Sequence, residues 1–281
     1  MSRIQDILAK ADRDGTARRL QPASGLMASP AVMAPALDGT SARDAGPFAP
    51  TPRAVTPTPA PVVERLEPRT ARATLHPALV AAIAPHSGAA EQYRAIRTKL
   101  MMREETGPLR TIGITSPGQG DGKSVTAANM ALTMAQELQR HVLLVDADLR
   151  DPSVHALFAI ERGPGLSEVL AGEASLEEAL VHLPDLRLTL LPAGAVPEYP
   201  TELLGSASMR RALDALSSRF DRILLDLPAV LPLADVSTVA PYTDGMLMVV
   251  RAGVTQRPSL DTALATFEDE KVLGVVLNEK N

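Results

Sequence analysis

The stretch from Thr111 to Met130 constrains the fold of this 281-residue chain more than any other. Its apolar start, Ile112 to Ile114, predicts a strand, and the residues after Lys123 predict a helix. Between them lies the segment SPGQGDGKS, in which glycine recurs at positions 118, 120 and 122. Because backbone N–H groups can surround a phosphate only where no Cβ blocks the approach, we expect a strand, a phosphate-binding loop and a helix in this order.

The residues that close this loop fit phosphate chemistry. Lys123 would reach the β- and γ-phosphates of a nucleotide as a point charge, and the Ser124 hydroxyl would ligate Mg²⁺. The helix beginning near Lys123 adds unpaired N–H groups and the positive end of its dipole. Pro117 replaces the first glycine of the common G-x-x-x-x-G-K-[ST] pattern, so the loop is a variant of that pattern.

Two further predicted strands end in carboxylates. The apolar run Val142 to Val145 leads into Asp146 and Asp148, and the run RILLD ends at Asp226. Side chains at the carboxyl ends of strands in an open α/β sheet project into the crevice where ligands bind. Hard oxygen ligands beside a phosphate loop favour Mg²⁺, so the pattern predicts a Mg²⁺-nucleotide site.

Apolar runs alternate with helical patterns from about residue 86 onwards, and LSEVLAG and SLEEALVHL are predicted to form two short helices. This order predicts an α/β fold with a mainly parallel sheet flanked by helices. Half of the 24 prolines lie in the first 85 residues. We therefore expect a short amphipathic helix over 1–15, a disordered Pro/Ala-rich linker over 16–85, and a nucleotide-binding domain over 86–281.

The composition excludes several classes of function. With 28 basic and 33 acidic residues there is no bulk positive charge, so nonspecific nucleic-acid binding is not expected. The chain has no cysteine, which excludes disulfides and thiolate metal sites. No apolar run approaches the ~18 to 20 residues that span a bilayer, and the N-terminus lacks a signal-peptide pattern, so we expect a cytoplasmic protein.

A helix is also predicted over SGAAEQYRAIRTKLMM. The residues expected on its apolar face are Tyr93, Ile96, Leu100 and Met101. Glu91, Arg94 and Arg97 fall along one charged stripe, which on spacing alone is typical of a solvated surface.

The motifs SPGQGDGKS, LLVDADLRDP, LLPAG with PTELL, ILLDLP and GVVLN stand in an order that resembles the bacterial tyrosine kinases of capsule and exopolysaccharide assembly, of the cytoplasmic CpsD/CapB type. The likeness covers roughly residues 86–281. The first 15 residues are similar to the first helix of soluble autokinases found with exosortase-linked polysaccharide systems. The resemblance implies a P-loop NTPase fold, ATP and Mg²⁺ as cofactors, and transfer of the γ-phosphoryl group to tyrosine.

The resemblance also implies roles for individual residues. The implied catalytic residues are Lys123, Asp146 and Asp148. The implied nucleotide-binding residues are Gly118, Gly120, Asp121, Gly122, Lys123, Ser124, Val125 and Asn278. The implied magnesium ligands are Ser124, Asp146 and Asp226. Because the E-x-x-R-x-x-R helix of that family contacts the nucleotide site of a neighbouring subunit in a ring, Glu91, Arg94 and Arg97 are expected at an oligomer interface.

The implied partner is a membrane polysaccharide co-polymerase, a chain-length regulator of the Wzz type, contacted through its cytoplasmic segment. Such a partner would recruit a chain without a membrane span of its own to the inner face of the cell membrane. No nucleic-acid partner is implied.

One departure keeps a second function open. Kinases of this family usually end in a tyrosine cluster, whereas this sequence stops at Asn281 and its three tyrosines lie inside the predicted domain. The alternative is a nucleotide-dependent assembly switch of the partitioning-ATPase type, without kinase activity. Pro117 and Gly118 stand near the place of the signature lysine of those switches, which favours the kinase. A metabolic P-loop kinase is the third alternative, because the sequence shows no pattern that indicates a pocket for a small-molecule acceptor.

Overall fold

A computed structural model of the chain describes residues 69–279, except residues 72, 105–106, 138–139 and 233. The helix expected over 1–15 and most of the linker expected over 16–85 lie outside the described residues. The folded part begins before residue 86, because Leu79 and Ala81 are buried in the core. The proline-rich composition around them concealed these apolar positions.

Eight strands form one sheet within the described residues. In chain order they are β1 (Arg69–Thr70), β2 (Thr111–Thr115), β3 (Val142–Asp146), β4 (Val181–Leu183), β5 (Leu188–Leu191), β6 (Arg222–Asp226), β7 (Gly245–Arg251) and β8 (Val272–Asn278). Their order across the sheet is β1-β4-β5-β3-β6-β2-β7-β8. Every neighbouring pair is parallel except β4 with β5. The prediction of a mainly parallel α/β sheet is confirmed.

Helices cover both faces of this sheet. They are α1 (Val80–Ile83), α2 (Gly88–Arg103), α3 (Lys123–Ala135), α4 (Val154–Leu157), α5 (Leu166–Ala171), α6 (Leu176–Ala179), α7 (Pro200–Leu204), α8 (Ala207–Ser217), α9 (Asp235–Val239) and α10 (Arg257–Leu264). Three short 3₁₀ turns span Pro184–Leu186, Ala240–Tyr242 and Asp269–Lys271. None of the helices in the described part of the chain is both long and apolar enough to cross a bilayer.

The core divides into two apolar clusters, one on each face of the sheet. Along β3, Val142 and Leu144 point into one cluster, whereas Leu143 and Val145 point into the other. The first cluster includes residues of α1 to α4, and the second includes residues of α5, α8, α9 and α10. A strand buried on both faces reads as an unbroken apolar run, which is why β3 and β6 could be located from the sequence.

Two local predictions differ from the structure. The segment SLEEALVHL is helical only over Leu176–Ala179, and Val181–Leu183 then forms the strand antiparallel to β5. In α2, Ile96 and Leu100 are buried as predicted, but Met101 is 39% exposed. The apolar stripe of α2 is narrower than the sequence suggested, since α2 packs mainly on α1 and α3.

Candidate active site

The glycine-rich loop between β2 and α3 has the backbone that its sequence predicts. Gly120 and Gly122 adopt φ values of +79° and +95°, which residues with a Cβ rarely reach. Lys123 begins α3 directly after Gly122. The loop therefore turns sharply and leads into the N-terminus of a 13-residue helix, where free N–H groups favour a phosphate.

Asp121 holds this loop in shape. Its carboxylate accepts hydrogen bonds from the Gly118 N–H at 3.0 Å and from the Thr255 hydroxyl at 2.8 Å. Its backbone carbonyl accepts a hydrogen bond from the Asn278 amide at 2.9 Å. The Asp121 carboxylate is thus engaged in hydrogen bonds with other residues of the protein. Asn278, at the end of β8, lies against the phosphate loop.

Lys123 and three carboxylates form a buried charged cluster at the carboxyl end of the sheet. The Lys123 ammonium lies 2.6 Å from the nearer carboxylate oxygen of Asp148 and 4.0 Å from that of Asp226. Asp146 and Asp226 are register partners on the adjacent strands β3 and β6. The three carboxylates are each at most 3% exposed, so one ammonium faces three buried acids.

The hydrogen bonds of these carboxylates are incomplete. One oxygen of Asp146 accepts from the backbone N–H groups of Ser153 and Val154, at 3.0 and 2.9 Å. The other oxygen of Asp146 and both oxygens of Asp226 are buried and accept no hydrogen bond. Buried carboxylate oxygens without donors are costly, so this arrangement suits a bound cation.

The pKa values of the cluster reflect this shortage of positive charge. Burial raises the pKa of Asp226 to about 6, against the opposing effect of Lys123. Burial, reinforced by the charge of Asp226, raises the pKa of Asp146 well above its usual value. Burial also lowers the pKa of Lys123, but Asp226 and Asp148 outweigh it and keep that pKa above its usual value. Lys123 is therefore a permanent cation in the site.

The chemistry of the cluster fits Mg²⁺ better than a softer metal. In the described part of the chain, no three His, Cys, Asp or Glu side chains converge to hold a metal by themselves. Mg²⁺ keeps several water ligands and in nucleotide sites takes only one or two carboxylates together with phosphate oxygens. The unsatisfied oxygens of Asp146 and Asp226, with the Ser124 hydroxyl 3.2 Å from the Lys123 ammonium, suit that pattern.

Comparison with known proteins agrees with this geometry. Residues 109–255 match the AAA domain family model AAA_31. The chain is 36% identical over 205 residues to the tyrosine-protein kinase YwqD of Bacillus subtilis, an alignment that covers 72% of this chain and 86% of that protein. It superimposes on the kinase domain of the Escherichia coli tyrosine kinase ETK with a TM-score of 0.70 at 29% identity, covering 74% and 82% of the two chains.

The chain belongs to the bacterial tyrosine kinase family. It is therefore a protein-tyrosine kinase with a P-loop fold that binds ATP, and the family expected from the sequence is confirmed. Some relatives are much longer than the region that matches this chain. The chain is 33% identical over 199 residues to the tyrosine-protein kinase Wzc of Salmonella typhi. That alignment covers 69% of this chain but 27% of that protein.

The structure of the kinase shows a network of hydrogen bonds among Arg150, Thr201 and Asp235 that the sequence did not reveal. Arg150 makes a two-point ion pair with the buried Asp235, with distances of 2.6 and 3.1 Å, and donates to the Thr201 hydroxyl at 3.0 Å. The Thr201 hydroxyl also donates to Asp235. Burial raises the pKa of Asp235, but hydrogen bonds from Arg150 and Thr201 outweigh it and hold that pKa below its usual value.

These three residues connect the loop of Asp148 to helices α7 and α9. Arg150 lies two residues after Asp148 in the motif DADLR. This closeness to Asp148 was the signal in the sequence that Arg150 belongs to the site. Thr201 and Asp235 lie 51 and 85 residues further along the chain. No local pattern marks either as a partner of Arg150.

The three residues expected at an oligomer interface do not share one environment. Arg97 turns inward, donating to the Thr133 carbonyl at 2.8 Å and lying 3.5 Å from Glu137. Arg94 pairs with Glu91 of the same helix at 2.6 Å. Glu91 is the exposed member of the three, since its side chain is 69% exposed against 26% for Arg94 and 20% for Arg97.

A cavity of about 1150 Å³ opens between α2 and the phosphate loop. Its wall includes Gln92 and Tyr93 from α2, Gly122 and Val125 from the loop and α3, and Asn278 from β8. The cavity is large enough for a nucleoside, and four of the predicted nucleotide-binding residues line it: Gly120, Gly122, Val125 and Asn278.

Replacing Gly122 with Ala is expected to lower the free energy of unfolding of the nucleotide-free kinase more than replacing Gly120 with Ala. Both positions have positive φ, which costs roughly 1–2 kcal/mol for a residue with a Cβ. A Cβ at position 122 would in addition collide with the Asn278 amide, whereas a Cβ at position 120 meets open space. Urea unfolding of both variants measures the difference, and equal losses would show that Asn278 does not constrain the loop.

Proposed function

We propose that this kinase transfers the γ-phosphoryl group of Mg²⁺-ATP to tyrosine hydroxyls of proteins in capsule or exopolysaccharide assembly. The observation that carries the site assignment is the buried cluster in which Lys123 faces Asp148 and Asp226 beside the glycine-rich loop. The cluster joins the phosphate loop, one fixed cation and unsatisfied carboxylate oxygens, which are the parts that phosphoryl transfer requires.

Lys123 has two alternative partners in this mechanism. Without nucleotide its ammonium is held by Asp148 at 2.6 Å. When ATP fills the loop, the ammonium would turn to the β- and γ-phosphates, because these carry more charge than one carboxylate. Asp148 would then be free to accept a hydrogen bond from the incoming tyrosine hydroxyl and orient it in line with the γ-phosphorus.

Asp146, Asp226 and Ser124 would hold the metal. A Mg²⁺ ion held by these residues would supply positive charge next to the β- and γ-phosphates. Backbone N–H groups fix Asp146 through one oxygen and leave the other available. Catalysis would come from positioning and charge neutralisation, since phosphoryl transfer needs little covalent chemistry from the protein.

The test is incubation of the purified full chain with γ-labelled ATP, Mg²⁺ and a random copolymer of glutamate and tyrosine. Phosphotyrosine in the copolymer, lost when EDTA removes the metal, is the expected result. Release of free phosphate without any phosphotyrosine would contradict the proposal and favour the assembly-switch alternative.

The kinase would act with a membrane co-polymerase that brings it to the inner face of the cell membrane. The Wzc relative supports this, because the aligned region is a minority of its length and leaves room for other parts on one chain. Adding the cytoplasmic segment of a candidate co-polymerase to the copolymer assay would be expected to raise the rate of transfer.

Glu91→Ala combined with Arg94→Ala is expected to weaken self-association of the kinase by about tenfold or more, a change of roughly 1.4 kcal/mol or more. The exposed Glu91 and its partner Arg94 flank Gln92 and Tyr93, which line the nucleotide-site cavity, while Arg97 is already engaged within its own chain. Light scattering over a concentration series measures the change.

The matched control for this pair is Arg257→Ala with Asp261→Ala. It removes another exposed helical ion pair, with an N–O distance of 2.8 Å on α10. If the α2 variant assembles as the control does, Glu91 and Arg94 form only a solvated surface.

A further inference from the structure

The sequence contains three tyrosines, and the structure describes all of them. A tyrosine kinase can modify only a phenol that enters its active site, so the surroundings of each tyrosine decide whether the kinase can serve as its own substrate. The three differ sharply in accessibility.

Two of the tyrosines are engaged in packing. Tyr93 packs against the core, with its hydroxyl within hydrogen-bonding reach of Thr126 and Asn129 on α3, and burial raises its pKa. Tyr242 is half-buried against the core, and the Arg210 guanidinium lies 5.7 Å from the centre of its ring. Both side chains are thus less accessible than that of Tyr199.

Tyr199 is different, because it is 59% exposed. Its hydroxyl donates to the carboxylate of the neighbouring Glu198 at 2.8 Å. Its backbone is held at the start of α7, where Pro200 is the first helical residue and the Leu203 N–H donates to the Tyr199 carbonyl at 3.2 Å. The phenol therefore projects into solvent from a fixed backbone.

The position of Tyr199 in the fold brings it near the active-site edge. The preceding strand, β5, pairs with β3, so both strands end at the same edge of the sheet. Two residues after Tyr199, Thr201 is hydrogen-bonded to Arg150 in the loop that carries Asp148. A second copy whose active site engages this edge would meet Tyr199 at its rim.

In the structure the Tyr199 hydroxyl is bonded to Glu198 and not to a residue of the active-site cluster, so transfer within one chain would require the Tyr199 segment to move. The Lys123 ammonium and its carboxylate partners are buried. Pro200 and the backbone hydrogen bond from Leu203 hold the segment in this position.

We propose that Tyr199 is the acceptor of self-phosphorylation, and that the active site of one copy of the kinase phosphorylates Tyr199 of a second copy. The proposal rests on the proposed function. A bond forms between the phenolic oxygen and the γ-phosphorus of ATP, and the bond from that phosphorus to the β–γ bridging oxygen breaks. ADP leaves with the electron pair, and the phenolic proton passes to a neighbouring carboxylate and then to water.

The first test compares full-length Tyr199→Phe with wild type in γ-labelled ATP and Mg²⁺, with Tyr242→Phe as matched control. Tyr199→Phe is expected to lose nearly all self-incorporated label, whereas Tyr242→Phe keeps it. Both variants should phosphorylate the glutamate–tyrosine copolymer at the wild-type rate, because neither residue belongs to the catalytic cluster.

The second test separates donor from acceptor. Kinase carrying Lys123→Met, which retains Tyr199, is mixed with a differently tagged Tyr199→Phe chain that retains the active site. Label on Tyr199 of the Lys123→Met chain is the expected result and establishes transfer between copies.

Each other outcome is decisive. If the copolymer is phosphorylated but self-incorporated label persists in Tyr199→Phe, or maps to Tyr93 or Tyr242, the assignment of Tyr199 is wrong and the proposed function stands. Copolymer phosphorylation with no label in the mixed experiment overturns transfer between copies. If neither the copolymer nor the chain gains phosphotyrosine, both proposals fail.

Discussion

Asp226→Asn is expected to stabilise the nucleotide-free, metal-free kinase above about pH 7 by on the order of 3 kcal/mol, while removing its activity. The carboxylate of Asp226 is fully buried, and the nearby Lys123 and Ser124 do not compensate for its lost hydration, so it is costly to ionise in the folded protein. An amide of the same shape carries no charge and avoids this cost. Activity should fall because the variant lacks a proposed metal ligand.

The contribution of Asp226 to the free energy of unfolding depends on pH with a definite sign. Burial raises the pKa of Asp226 from 3.8 to about 6, so the folded protein binds this proton more tightly than the unfolded chain does. The resulting stabilisation is fully present below about pH 4, declines as the pH rises through 6, and is absent above about pH 7. Since one pKa unit corresponds to about 1.4 kcal/mol, the whole change is about 3 kcal/mol.

Urea unfolding of wild type and Asp226→Asn in EDTA, between pH 4 and pH 8, measures this effect. The difference between the two proteins is the informative quantity, because Asp235, whose pKa is lowered, contributes a pH dependence of opposite sign to both. Asp146 also enters this difference, since the charge of Asp226 helps to raise the pKa of Asp146. Asp185→Asn, at an exposed position, serves as the control. A difference that does not change with pH would contradict the assigned environment of Asp226.

Lys123→Met is expected to lower kcat/KM for copolymer phosphorylation by a factor on the order of 10² to 10³. The variant removes the ammonium that lies 2.6 Å from Asp148 and the positive charge that would face the transferred phosphoryl group. Methionine keeps a similar length and volume, so the fold should survive. Circular dichroism and the thermal midpoint check that it does.

Lys99→Met is the matched control, because Lys99 is exposed on α2 and remote in sequence from the phosphate loop. Its kcat/KM should stay within about twofold of wild type. Comparable activity in Lys123→Met and Lys99→Met would remove the glycine-rich loop from the proposed mechanism.

The sequence could predict the centre of this site because its parts are local. The loop glycines, Lys123 and Asp146 each belong to a short motif at the end of a buried strand. Parallel strands end at the same edge of the sheet, so their juxtaposition with Asp226 followed from the fold class. The paired register of Asp146 and Asp226 agrees with that expectation.

The features that escaped prediction depend on distant or weak signals. Arg150, Thr201 and Asp235 meet only when three separate segments fold together. Val181–Leu183 is three residues long and follows a helical pattern, so its periodicity could not be distinguished from a continuing helix. Whether Arg97 points inward depends on the packing of α2 against α3, which its spacing alone does not specify.

The attachment of the phosphate loop to the last strand affects the order in which the kinase matures on the ribosome. Asp121, which shapes the loop, depends on Thr255 and Asn278, 134 and 157 residues further along the chain. At about 5 to 20 residues per second, translation reaches Asn278 roughly 10 to 30 seconds after the loop has been synthesised. Until β8 emerges, a nascent chain lacks the hydrogen bond from Asn278 that supports the loop, so we expect incomplete chains to bind nucleotide more weakly than the finished kinase.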